Sequence, residues 1–154
     1  MQMLVSVISI FLIIAGLVVG LGAVTVIDLH GFCARKSSYW TVATIATHKI
    51  TKPLIWLGIL LLSLGLTFFY SSSIFLPRVA KMQLFLIAAL VLNGVYLSFV
   101  ISPALLIKEK QGKASELLSS SMQSRIAASM LVSFFGWWAL VLSIAYIFSR
   151  LWQN

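Results

Sequence analysis

The sequence predicts an all-α membrane protein, with four transmembrane helices arranged as two hairpins in one bundle and an amphipathic lead-in to the second helix. Three observations carry that prediction. The 154 residues are 61% hydrophobic and only 9% charged, whereas soluble domains carry about a quarter charged residues. Four stretches, Met3–Ile27, Pro53–Pro77, Met82–Ile107 and Ile126–Ser149, contain no Asp, Glu, Lys, Arg or His. Each exceeds the roughly 20 residues a helix needs to cross about 30 Å of hydrocarbon. Alternation with period two is absent, which argues against a barrel, so the backbone must satisfy its polar groups within helices.

Taken in order, the spans cover about 3–29, 53–72, 82–106 and 126–149 of a single domain, 1–154. The first lacks a basic leader and a clear cleavage pattern, so it reads as a span and not as a secretory signal. It carries Gly16-x-x-x-Gly20, and the second span carries Gly58 and Gly65; small residues on one face let neighbouring backbones approach. Tyr70 to Lys81 is short and turn-rich, which makes spans two and three a tight hairpin. Asn93, near the middle of span three, needs a partner in hydrocarbon and predicts an interhelical hydrogen bond. Trp40, Trp56 and Trp152 lie near span ends and suit an aromatic belt, while Trp137 and Trp138 lie deeper, as packing groups or a pocket wall. The two halves echo one another faintly: Trp56-x-Gly58 is answered by Phe134-x-Gly136.

Charge sets the expected topology. Arg35, Lys36, Lys49, Lys52, Lys108, Lys110, Lys113 and Arg125 belong to the first and third connections, against Arg78, Lys81 and Arg150 on the other side. By the positive-inside rule the first and third connections face the cytoplasm and both termini lie outside it. The net charge of +8 is thereby read as topology and contact with anionic lipid headgroups, not as a nucleic-acid footprint. A bilayer is the expected partner, together with a second copy or another membrane protein. The lone cysteine, Cys33, excludes an intrachain disulfide framework, and no Cys/His spacing resembles a zinc site.

Chemistry concentrates between Asp28 and Lys52, which hold both histidines and the only aspartate. If the first helix continues past Asp28, His30 points about 200° away from it, and Gly31 offers a place for the helix to end or bend. From Trp40 to Lys52 a helical wheel gathers Thr41, Thr44, Thr47, His48, Thr51 and Lys52 within roughly 140°, with Val42, Ala43, Ala46 and Ile50 opposite. Pro53 then marks a junction. The commoner reading of such a stripe, which the sequence favours, is an interfacial helix with its polar face towards water and phosphate, where Arg35, Lys36, Lys49 and Lys52 meet lipid headgroups. The alternative turns it inward against Asp28 and His30 to line a polar cavity at the cytoplasmic mouth of the bundle, where Asp28, Thr44 and Asn93 form a possible polar site. His30 and His48, at similar depth on helices adjacent in sequence, are candidate haem ligands. Glu109 and Glu116 sit among Lys108, Lys110 and Lys113 as a solvated, charge-balanced loop. No hydrolase triad, phosphate-binding loop or dinucleotide fingerprint is present, so no catalytic residues are assigned.

Asp28-Leu29-His30-Gly31-Phe32, Ser38-Tyr39-Trp40-Thr41 and Thr47-His48-Lys49-Ile50-Thr51-Lys52-Pro53 resemble segments of small bacterial integral membrane proteins with four spans. That resemblance implies the fold and a bacterial inner membrane, and brings no activity with it. A looser architectural similarity links the chain to four-helix haem- or porphyrin-associated membrane proteins, although the third and fourth spans contain no histidine. Three functions are therefore carried forward. The first is a non-enzymatic structural, assembly or accessory subunit with no cofactor. The second is a haem- or porphyrin-binding redox protein using His30 and His48. The third is a small transporter or channel subunit.

Overall fold

A computed structural model of the chain describes residues 2–33, 37–72, 77–113 and 116–152. All of its regular structure is helical: α1 (Gln2–Cys33), α2 (Ser38–Ser72), α3 (Pro77–Tyr96), a π-helical turn (Leu97–Ile101), α4 (Ser102–Lys110) and α5 (Ser120–Trp152). The π-turn joins α3 to α4 without a break, so four helical rods are long and apolar enough to span a membrane. Their outward faces are apolar, with Phe11, Val18, Phe85, Leu92, Phe99 and Leu142 each more than half exposed, as lipid-facing positions must be.

Two boundaries differ from the sequence reading. α1 does not end at Gly31 but runs to Cys33, and Gly31 faces Ile126 of α5 across van der Waals distance. The lead-in is not a separate interfacial helix either. It is the first part of a 35-residue α2 that passes through Pro53 unbroken. At 1.5 Å per residue α2 measures about 50 Å, well over the hydrocarbon thickness, so helix persists beyond the apolar segment.

Different chemistry closes the two hairpins. Between α1 and α2 the backbones touch: a methyl placed on Gly16 would lie 2.5 Å from the Leu62 nitrogen, and one on Gly65 would lie 2.7 Å from the Ile13 nitrogen. Gly58 sits directly against Gly20, leaving no room for a side chain at either position. Between α3 and α5 the contact is made by side chains. Asn93 Nδ2 donates to the Ser133 hydroxyl (2.9 Å) and the Ser129 carbonyl (3.0 Å), and the Ser129 hydroxyl donates back to Asn93 Oδ1 (2.7 Å). The interhelical bond expected of Asn93 is thus present. Nearer the second connection Gln83, only 1% exposed, takes the Tyr70 hydroxyl on Oε1 (2.7 Å) and donates from Nε2 to Ser143 (2.8 Å). The hairpins meet over Trp137, whose ring lies on Gly20 and joins Ile13, Leu62, Leu66, Leu90, Leu140 and Ile144 in the main core.

The π-turn has a local cause. Pro103 has no N–H, and its ring would press on the carbonyl of Phe99, four residues earlier. Just ahead of it the chain widens by one residue, and the Ser102 N–H reaches the Leu97 carbonyl. Such single π-turns cluster at functional positions in helices.

Candidate functional site

The threonine stripe of α2 faces the interior. Thr41, Thr44 and Thr51 are buried, while Val42 and Ile50 on the opposite face are exposed, the reverse of the interfacial reading. The reason lies in the hydroxyls. Thr41 Oγ1 donates to the Ser37 carbonyl (3.2 Å) and Thr51 Oγ1 to the Thr47 carbonyl (3.0 Å), each one turn back along the chain. A threonine bonded in this way presents its methyl to a neighbour and carries no unmet polar group inward.

His48 lies on the same face, and there its environment changes. Two cavities are stacked along the bundle. The central one, about 40 Å³, is lined by Val24 and Asp28 of α1, His48, Lys52 and Trp56 of α2, Leu90 and Asn93 of α3, and Ser133 and Trp137 of α5. The second, about 60 Å³, lies one to two turns towards the basic connections and is lined by Gly31, Thr44, Leu105, Ile126 and Ser129. Ile27, Asp28, His48, Ile55 and Leu97 line both. These five residues form the layer that separates one space from the other. Leu97 opens the π-turn, and the turn also supplies Ser98 to the central cavity and Ile101 to the second.

Within this layer two polar atoms, Asp28 Oδ2 and His48 Nε2, are buried and accept or donate no hydrogen bond. Three other interior polar side chains are bonded: Asn93 and Gln83 as above, and Trp56, whose Nε1 donates to the Ser98 hydroxyl at 3.4 Å. Buried polar groups are nearly always satisfied, and each exception calls for a reason. A carboxylate held away from water must be answered by a proton or a cation, because an isolated buried charge costs far more than a neutral group. Both cavities are roomy enough for water, whose minimum is about 10–15 Å³, and far below the roughly 300–1,000 Å³ of common small-molecule pockets.

The remaining candidates separate. His30 lines neither cavity, and its Nδ1–H donates to the Val26 carbonyl at 2.7 Å, so the two histidines do not face a common space. Thr44 joins Asp28 and His48 at the second cavity, whereas Asn93 borders the central one with its amide fully engaged. Lys52, read from the sequence as a headgroup contact, lines the central cavity beside His48. Lys49 reaches Glu109 across the same end of the bundle at 2.8 Å, and Lys108 lies 3.9 Å from Glu116. Arg35 and Lys36 lie outside the described residues, as do the side chains of Trp40 and Trp152. Among the described residues no three His, Cys, Asp or Glu side chains gather as a metal site.

Sequence reasoning missed four contributors. Trp56 was assigned to the aromatic belt, yet packs inward over Gly94. Ser98 and Ser133 carried no distinguishing mark, and the π-turn was signalled only by Pro103 inside an apolar run. No protein-family profile, curated protein or solved structure matches the chain.

Proposed function

We propose that the chain is a small transport- or channel-type subunit of a bacterial inner membrane, which exchanges a proton or a small cation at the Asp28–His48 layer. One observation carries the reading: two half-buried titratable side chains, each with one buried and unpartnered polar atom, line two water-sized spaces within one helix bundle. Ionisable residues that face the interior of a membrane bundle commonly mark substrate or ion pathways and proton relays. A purely structural or assembly role gives no reason to keep an unpartnered acid inside, where a neutral residue of similar size would cost less. The eight-to-three excess of Lys and Arg on the first and third connections supports a cytoplasmic position for the end nearer the second cavity. Liposomes containing the full chain and an enclosed pH-sensitive dye test the reading under an imposed potential. Dye response should exceed that of empty liposomes and be lost in Asp28→Asn and His48→Gln. An equal response in Asp28→Asn would refute it.

A further inference from the structure

Resting on that reading, we infer that the species exchanged is the proton, passed between the Asp28 carboxyl and the His48 imidazole across a partition between two water-sized compartments. The two spaces share only one layer, and that layer holds both groups. A metal cation that loses its water needs about six oxygen ligands. The side-chain oxygens bordering the central cavity are few, and three of them already accept a hydrogen bond: Asn93 Oδ1 from the Ser129 hydroxyl, Ser98 from the Trp56 N–H, and Ser133 from Asn93 Nδ2. Lys52 and His48, both cationic when protonated, border the same space and oppose a second positive ion. A proton needs only one acceptor on each side of the layer.

The titratable groups around Asp28 are few. α2 contributes His48 and Lys52; α3, the π-turn, α4 and α5 contribute only Asn93, serines and apolar side chains to the lining, and α1 only Asp28 itself. In the transfer the Asp28 O–H bond breaks and an N–H bond forms at His48 Nε2 through an intervening water, since neither atom has a hydrogen-bond partner. The carboxyl becomes carboxylate as the imidazole becomes imidazolium, and the net charge of the layer is unchanged. A water in the second cavity then takes the proton from the imidazolium or, in the reverse direction, supplies it. Beyond the central cavity the way is closed by Trp137 seated on Gly20 and by the core behind it, so the central cavity is the blind end. The π-turn borders both spaces through Leu97, in keeping with the frequent occurrence of single π-turns at functional sites.

The test is reaction of the full chain in liposomes with dicyclohexylcarbodiimide, which adds only to protonated carboxyls in apolar surroundings. The chain has three acids, and Glu109 and Glu116 are solvent-facing with cationic partners. The expected result, read by mass spectrometry, is a single adduct on Asp28, faster in acid than in alkali, absent in Asp28→Asn, and not slowed by excess sodium or potassium. His48→Gln should keep the adduct and move its pH profile, which a merely structural histidine would not do. Protection by sodium or potassium would show that a metal cation occupies the site; it would overturn this inference while leaving the transport reading standing. An unlabelled Asp28 in protein that remains helical would overturn it as well. Loss of flux with the labelling pattern intact would instead count against the transport reading alone.

Discussion

Two parts of the interior are polar, and they differ in one respect. Along the α3–α5 contact, Gln83 and Asn93 sit ten residues apart and meet Ser143 and Ser133, also ten apart on the antiparallel helix; every bond is short, and both the oxygen and the nitrogen of each amide are engaged. Around Asp28 and His48, at the end of the glycine-packed α1–α2 contact, two buried atoms have no bond at all. A membrane bundle gains nothing from hydrophobic association of its helices, so interhelical hydrogen bonds and close backbone packing must hold it together. Satisfied amides are thus part of the frame. Unsatisfied titratable groups add nothing to it, and their presence points to chemistry.

The contrast makes separable predictions about stability. The largest effect should come from the frame that both regions share. Gly58→Leu would drive a side chain into Gly20 and cost about 3 kcal/mol or more, which unfolding of the purified protein in mixed micelles would show. Gln83→Ala comes next, at about 2–3 kcal/mol, since it empties a packed position and strands the Tyr70 hydroxyl. Asn93→Ala should cost about 1–2 kcal/mol, in the range of interhelical hydrogen bonds in membranes, and should leave liposome flux in place once the protein is folded. Smallest of all is Asp28→Asn, within about 0.5 kcal/mol of the parent, because the carboxyl oxygen it replaces has no partner to lose. A loss from Asp28→Asn as large as that from Gln83→Ala would erase the distinction between the two regions.

Fold and site were legible to different degrees. Long charge-free runs leave a chain few architectures, so the four spans and the glycine contacts of Gly16, Gly20, Gly58 and Gly65 could be read directly. Asp28 and His48 stood out because ionisable residues near apolar segments are rare. Their pairing did not: His30 looked equally eligible, and only the rotation of α1 turns Asp28 inward while His30 bonds to its own helix. The threonines misled, because residue type alone does not show that Thr41 and Thr51 bond to carbonyls one turn back and so behave as small apolar residues. Gln83 stands two residues from Lys81 at the start of a span, a place that suggests an interface and not a buried node. Lys52 was hidden by the same positional logic: a basic residue beside Pro53 fits a headgroup contact until the direction of its side chain is known.

The measurement closest to the central claim is infrared difference spectroscopy of the full chain in lipid, recorded as the pH is stepped. If Asp28 and His48 exchange a proton, the C=O stretch of a protonated carboxylic acid should appear and disappear across the step. It should shift in heavy water, vanish in Asp28→Asn and persist unchanged in Asn93→Ala. A difference spectrum without a carboxylic-acid band, or with one indifferent to Asp28→Asn, would contradict the account.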